Sequence, residues 1–173
     1  MRLRVPNPSL LVLCGPAGSG KSTFAGRHFP PDTVVSSDRC RAMLADDERN
    51  MAVSREAFDL FHAIIDHRLR FRRLTVADST ALRKEARKTL LEIGRRRNLP
   101  VLLIVFDVTE DRCHLHDRLR ERAVGRAVIG RHVRLLYEAL RTIPNEGFDS
   151  VTILDDTSAP RASMEIVTGP GPA

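Results

Sequence analysis

The chain has 173 residues, 42% of them apolar, a size that suits one buried core and leaves no room for a second domain of ordinary size. No run of about 18 apolar residues occurs and the N-terminus lacks a signal-peptide core, which argues against a membrane helix and predicts a cytoplasmic protein. The three cysteines are widely spaced, which argues against a disulfide framework and predicts reduced thiols. The formal charge of +6 is compatible with a polyanionic partner, although basic surfaces are often only solvated.

Five short apolar runs predict β-strands, and helical patterns lie between them. The runs are Leu10 to Cys14, Val34 to Ser36, Leu74 to Ala77, Val101 to Phe106 and Val151 to Leu154. Strands that alternate with helices predict an α/β domain with a five-stranded parallel sheet covered on both faces. Because ligands of such sheets bind beyond the carboxyl ends of the strands, we expect the functional residues directly after them.

The segment after the first predicted strand fits GxxxxGK[ST], the pattern of a phosphate-binding loop. Its glycines allow several amide N–H groups to point at one set of phosphate oxygens, and the following helix adds partial positive charge. Lys21 is predicted to reach the β- and γ-phosphates, and the Ser22 hydroxyl suits Mg²⁺. The predicted ATP-binding residues are Gly15, Ala17, Gly18, Ser19, Gly20, Lys21, Ser22 and Thr23.

Asp38 follows the second predicted strand, within Ser36-Ser37-Asp38-Arg39-Cys40-Arg41. At the same sheet edge as the phosphate loop, an ionised aspartate can accept the proton of an attacking hydroxyl. The alternative is that Asp38 only caps the helix that follows, a common role for aspartate. The residues alone leave both interpretations open.

Two further strands end in aspartates. Asp78 precedes Ser79-Thr80, with Arg87 on the next helix, and it either holds magnesium-bound water, orients Arg41 or Arg87, or is a simple turn residue. Asp107 closes the fourth strand, where we favour the turn interpretation.

The stretch from His116 to Arg126 places several arginines between two predicted helices. They are Arg118, Arg120, Arg122 and Arg126. Phosphoryl transfer relies on charge neutralisation, so these cations are interpreted as a lid over the triphosphate, with a solvated helix surface as the alternative. We expect the domain to span residues 1–155, because the Pro- and Gly-rich tail over residues 156–173 has no sustained periodicity and is predicted to be linker or disorder.

The order of these motifs resembles the kinase module of the bacterial polynucleotide kinase-phosphatase family, which belongs to an RNA end-healing and sealing system. The motifs are GPAGSGKST, SSDRCR, DST followed by Arg87, and the arginine-rich lid ahead of Ile129-Gly130-Arg131-His132. The resemblance runs from Ser9 to Asp155. It implies an adenylate-kinase-like P-loop phosphotransferase that moves the γ-phosphate of ATP to 5′-hydroxyl ends of single-stranded RNA or DNA, with phosphatase and ligase modules as partners in a longer parent protein.

The same resemblance implies roles for individual residues. Lys21 would act on the phosphates during catalysis, Asp38 would be the general base and Arg41 would hold a substrate phosphate beside the reacting end. We further expect Asp78, Thr80 and Arg87 to bind substrate, and the lid residues Arg118, Arg120 and Arg122 to bind nucleotide.

The lid departs from the family pattern RNxxRxxRxV. It is one residue shorter and has His116 in place of the first arginine. Histidine is only partly charged near pH 7 and lacks the guanidinium fork, so either Arg118 or Arg120 makes that contact or the rate is reduced. Two alternatives therefore stay open: a P-loop kinase of a small metabolite, and a nucleotide-binding module without catalysis.

Overall fold

A parallel sheet of five strands forms the centre of the computed structural model, which describes residues 1–119 and 123–168. The strands are β2 (Leu10–Cys14), β3 (Val34–Ser36), β4 (Thr75–Asp78), β5 (Val101–Phe106) and β6 (Ser150–Leu154), in the spatial order β3-β4-β2-β5-β6. All neighbours are parallel. The predicted sheet is confirmed, with strand ends within one residue of those expected. Strands β2 and β5 are buried on both faces, which explains their uninterrupted apolar sequences.

Six α-helices cover the sheet within the described residues. They are α1 (Lys21–His28), α2 (Ser37–Ala45), α3 (Ser54–Arg70), α4 (Lys84–Arg96), α5 (Glu110–Arg118) and α6 (Arg126–Thr142). Helices α3, α4 and α6 bury Phe61, Leu90 and Leu136 against one face, while α1 packs Phe24 against the other. In the part of the chain that is described, no helix is both long enough and apolar enough to cross a membrane.

The two ends of the described chain pair with each other in a small second sheet. Strand β1 (Arg2–Asn7) is parallel to β7 (Ser163–Thr168), and Val5 and Ala162 are buried beside it against the main sheet. The expectation of a linker over residues 156–168 is therefore corrected. A short tail segment shows no clear local signal when its partner strand lies at the opposite end of the sequence. Residues 169–173 lie outside the described residues.

Candidate active site

The carboxyl ends of three neighbouring strands gather the predicted site residues at one edge of the sheet. Leu13 of β2 and Ser36 of β3 are both in register with Asp78 of β4, so the segments that follow these strands start at the same level. Since β4 lies between the other two, the ends of β2 and β3 are about 10 Å apart, two strand spacings. The phosphate loop and the segment that carries Asp38 therefore begin on either side of the end of β4.

The phosphate loop is built as its sequence requires. The Gly15 amide donates to the Thr80 carbonyl at 2.9 Å, which ties the start of the loop to the segment after β4. Gly18 has φ +79°, and a Cβ there would lie 2.4 Å from the carbonyl oxygen of Cys113 in α5, so both its conformation and its surroundings require glycine. Gly20, with φ +90°, leads directly into α1, whose first turn carries Lys21, Ser22 and Thr23.

Lys21 lies along the loop that precedes it. Its Nζ donates to the carbonyl oxygens of Gly15 at 2.9 Å and Pro16 at 2.7 Å, and lies 3.2 Å from Ser19 Oγ. These acceptors are uncharged, so a phosphate oxygen in the loop offers the ammonium group a stronger, charge-assisted hydrogen bond. The predicted role of Lys21 fits this position.

Ser22 and Asp78 fit the sparse ligation that Mg²⁺ takes beside a nucleotide. Ser22 is exposed in the first turn of α1, and Asp78 is buried at the adjacent end of β4. This ion keeps several of its waters and is usually held by one or two protein oxygens together with phosphate oxygens. The donor set therefore suits Mg²⁺ that arrives with the nucleotide.

Asp38 lies in the first turn of α2 without serving as its cap. The N-cap is Ser36, whose Oγ accepts a hydrogen bond from the Arg39 amide at 3.3 Å, so the capping interpretation of Asp38 is corrected. The Asp38 side chain is 63% exposed and pairs with the guanidinium group of Arg41. The carboxylate is thus largely accessible to solvent.

Arg41 is held more firmly than its partner. Its side chain is only 10% exposed, its Nε donates to Ser54 Oγ at 3.3 Å, and the guanidinium carbon lies 5.7 Å from the centroid of the Phe58 ring. Contacts to α3 thus fix a cation beside the exposed carboxylate. Such a group can orient an anionic substrate with little loss of side-chain entropy.

The prediction that Arg87 binds substrate is corrected by its burial and its pairing with Glu146. Its side chain is 1% exposed, and Nε and Nη2 donate to the two carboxylate oxygens of Glu146 at 2.7 and 2.6 Å. Its Nη1 donates to the carbonyls of Ala81 and Leu82. Burial acts to raise the pKa of Glu146, but the bonds from Arg87 and Thr142 outweigh it and hold that pKa below its usual range. Arg87 is therefore a buried structural cation.

A cavity of about 420 Å³ opens beside the phosphate loop, within the size range of small-molecule sites. Phe24, Phe106 and Leu119 give it apolar walls, and Arg27 and Arg112 supply cations. Its position next to Gly18–Gly20 suits the nucleoside of a nucleotide whose phosphates occupy the loop.

The predicted lid is described only in part. Arg118 is exposed at the end of α5, whereas Arg120 and Arg122 lie outside the described residues. Asp117, only 3% exposed, accepts hydrogen bonds from the amides of Val124 at 3.0 Å and Gly125 at 3.1 Å. This carboxylate fixes the two ends of the segment to each other.

Two histidines contact the phosphate loop, and the sequence patterns gave no role to one of them. The Ala17 amide donates to Nδ1 of His132 on α6 at 3.2 Å, and Nδ1 of His116 on α5 lies 2.9 Å from the Gly18 carbonyl. Burial, with the nearby charges of Lys21 and Arg131, lowers the pKa of His132, so its ring is neutral at pH 7 and can accept. Only the quoted segment Ile129-Gly130-Arg131-His132 pointed to this helix.

Comparison with known proteins supports a kinase-like nucleotide site. A family model described as an AAA domain matches residues 10–137, which include the phosphate loop, Asp38 and both histidines. No curated protein matches the sequence. The structure has a P-loop kinase-like α/β fold, a fold that implies ATP binding.

Solved structures share this fold at low sequence identity. A chain of the Pnkp1/Rnl/Hen1 RNA repair complex superposes with a TM-score of 0.68 and 22% identity over 80% of this chain, which spans 47% of the length of that one. The APS kinase CysC of Mycobacterium tuberculosis, in complex with AMPPNP and APS, gives 0.55 and 16% identity, with coverages of 91% and 96%. A gluconokinase from Sinorhizobium meliloti 1021 gives 0.53 and 19%, with coverages of 87% and 84%.

Proposed function

Since the chain belongs to the family of AAA domains, whose model matches it over residues 10–137, we propose that it is a cytoplasmic, ATP-dependent polynucleotide 5′-hydroxyl kinase that acts in nucleic-acid repair. In this reaction the 5′-hydroxyl oxygen of an RNA or DNA strand attacks the γ-phosphorus of ATP. The hydroxyl proton passes to the Asp38 carboxylate, the bond to the β-phosphate oxygen breaks, and ADP and a 5′-phosphate end are the products.

The donor half of the reaction uses the phosphate loop. Lys21 would bind the β- and γ-phosphates and stabilise the charge that develops between them, while the loop amides and the N-terminus of α1 bind the remaining oxygens. Ser22 would hold Mg²⁺, which when bound neutralises phosphate charge. The exposed Arg118, together with Arg120 and Arg122, would complete the charge compensation from the lid side.

One observation carries the acceptor half: an accessible carboxylate, Asp38, is paired with a cation that α3 holds in place, in the segment that begins across the end of β4 from the phosphate loop. Asp38 would act as the general base, accepting the proton of the hydroxyl in the transition state. Arg41 would bind the phosphate next to the reacting end and so bring that end to Asp38. Asp78 and Thr80, at the end of the intervening strand, would line the space between donor and acceptor.

A small-metabolite kinase is the second candidate, and a specific observation favours it. The APS kinase and the gluconokinase are matched over most of their own lengths, whereas the RNA repair chain is matched over less than half. We prefer the polynucleotide acceptor because Asp38 is 63% exposed and the chain carries a net charge of +6, features that suit a long anionic substrate. If the parent protein is longer, phosphatase and ligase modules are the partners we expect.

The deciding experiment offers γ-labelled ATP and Mg²⁺ to the protein with 5′-hydroxyl RNA and DNA oligonucleotides and, separately, with a panel of metabolite alcohols. We expect label on the oligonucleotides and none on the metabolites. The matched control is Lys21→Met, which keeps the length of the side chain and removes its charge, and should abolish the transfer. Label on a metabolite alone would favour the second candidate, and ATP binding without any transfer would indicate a non-catalytic module.

A further inference from the structure

The two helices that flank the lid both attach to consecutive residues of the phosphate loop. His132 of α6 accepts the hydrogen bond of the Ala17 amide, and His116 of α5 contacts the carbonyl of Gly18. The contacts join residues 115 and 98 positions apart in the sequence, so neither is a local consequence of helix geometry. Between these helices lies the segment whose two ends Asp117 holds together.

The two imidazoles have opposite hydrogen-bonding roles: His116 donates and His132 accepts. A carbonyl oxygen can only accept, so Nδ1 of His116 carries the hydrogen and donates to Gly18. A backbone N–H can only donate, so Nδ1 of His132 presents its lone pair to Ala17 and the hydrogen lies on Nε2. A neutral ring can make either contact. The two contacts provide hydrogen-bond partners for the Ala17 N–H and the Gly18 carbonyl, which lie in the turn of the phosphate loop.

Packing holds the same two loop residues against the same two helices. Ala17 packs on a small apolar cluster formed by Val108, Cys113, Ile129 and Val133, which joins α5 to α6. A Cβ at Gly18 would lie 2.4 Å from the Cys113 carbonyl oxygen, so the loop backbone and α5 are in direct contact. The hydrogen bonds therefore act on a segment that is already enclosed, where an unsatisfied amide is costly.

We propose that His116 and His132 are positioning residues that fix the Ala17–Gly18 segment of the phosphate loop on the lid helices and so preset the loop for the triphosphate. Each acts on the nucleotide through the loop backbone that it holds. Their effect is on nucleotide affinity, because a loop held in its binding conformation loses less freedom when phosphate enters. The inference deepens the nucleotide-binding half of the proposed function and does not depend on the identity of the acceptor.

Asparagine and leucine form a matched pair that tests the inference at each histidine. Asparagine carries its amide oxygen and nitrogen on Cγ, the carbon to which Nδ1 of histidine is bonded, so it can accept from Ala17 or donate to Gly18. Leucine has the same branching without a polar atom. Glutamine moves the amide one carbon farther from the backbone and provides a polar variant with the hydrogen-bonding group misplaced.

Isothermal titration calorimetry with ATP and Mg²⁺ measures the change in ATP affinity without any acceptor. We expect His132→Leu and His116→Leu each to weaken ATP binding about fivefold, the consequence of one lost hydrogen bond, and the Asn variants to bind within twofold of the parent. His67→Leu, at an exposed position on α3, is the control and should not change affinity. In a transfer assay the Leu variants should raise the KM for ATP and leave kcat at saturating ATP within about twofold.

Two results would overturn the inference: Leu variants that bind ATP as tightly as the parent, or Asn variants as weak as the Leu variants. If a Leu variant does not fold, the Gln variant takes its place, with the same weakening expected relative to Asn. Failure of the chain to phosphorylate oligonucleotides would refute the proposed function, but the ATP affinities of the histidine variants would still test the inference. The two proposals therefore fail separately.

Discussion

Asp38 does not cap α2 and its side chain is largely exposed, so its substitution disturbs little besides the pair with Arg41 and tests the proposed base. Ser36 caps α2, and the Asp38 side chain is 63% exposed. Asp38→Asn should lower the rate of phosphate transfer about 10²- to 10⁴-fold, because the amide cannot accept the hydroxyl proton. ATP affinity should stay within about twofold, since the base acts on the acceptor.

The measurements are single-turnover transfer with labelled ATP and a calorimetric Kd for ATP. Asp59→Asn, at an exposed position on α3, is the matched control for loss of one negative charge. A large loss of ATP affinity in Asp38→Asn would mean that the carboxylate helps to form the nucleotide site. A transfer rate close to that of the parent would remove Asp38 from the mechanism.

Arg87 and Glu146 lead to a prediction about stability. The pair is almost fully buried, with side-chain exposures of 1% and 5%, so removing one partner leaves an uncompensated charge in the core. Arg87→Met should lower the free energy of unfolding by about 3 to 5 kcal/mol, as measured by urea denaturation. The double variant with Glu146→Leu should recover a large part of that loss, because no buried charge remains.

Activity measurements on the same variants separate the structural role of Arg87 from a role in substrate binding. The double variant, where folded, should transfer phosphate at a rate close to that of the parent. A folded double variant with an increased KM for the acceptor would instead return Arg87 to the substrate-binding set.

At the scale of elements, the sequence predicts what local patterns encode and misses what distant segments create. Strands β2 and β5 are continuous apolar runs, β3, β4 and β6 contain shorter ones, and the phosphate loop is a spaced motif, so all could be predicted. The burial of Arg87 depends on Glu146, 59 residues away, and the role of His132 on an amide 115 residues away. No local pattern marks either contact, and DST followed by a basic helix looks the same whether the arginine points inward or outward.

The pairing of β1 with β7 gives the element-scale prediction. Removal of residues 163–173 would take away β7 and expose Val5, which is 1% accessible in the complete sheet. We expect the free energy of unfolding to fall by roughly 2 to 3 kcal/mol, as estimated for exposing one fully buried Val side chain and part of its neighbours. Removal of residues 169–173 is the control, because it leaves the pairing with β1 intact. Equal urea midpoints for the two truncations would mean that β7 adds no stability.

At the scale of the whole molecule, charge distinguishes the two candidate acceptors. The pairs that Arg87, Arg95 and Arg97 form with carboxylates contribute nothing to the net charge of +6, so this charge comes from cations outside such pairs. The excess cations include Arg118 and Arg126, exposed on either side of the lid segment near the phosphate loop. A long polyanion can contact several such groups at once, whereas a small alcohol cannot.

Salt dependence of the acceptor KM is therefore the last prediction. If three phosphates of a single strand are contacted, log affinity falls with a slope of about −2 against log salt, or roughly 20-fold between 50 and 200 mM. The KM for a 5′-hydroxyl dinucleotide, with one internal phosphate, should rise only about threefold over the same range. ATP is held saturating throughout, so changes in its affinity do not enter. Equal salt dependence for the short and the long acceptor would mean that recognition ends at the first phosphate, and the basic surface would then have no part in binding the strand.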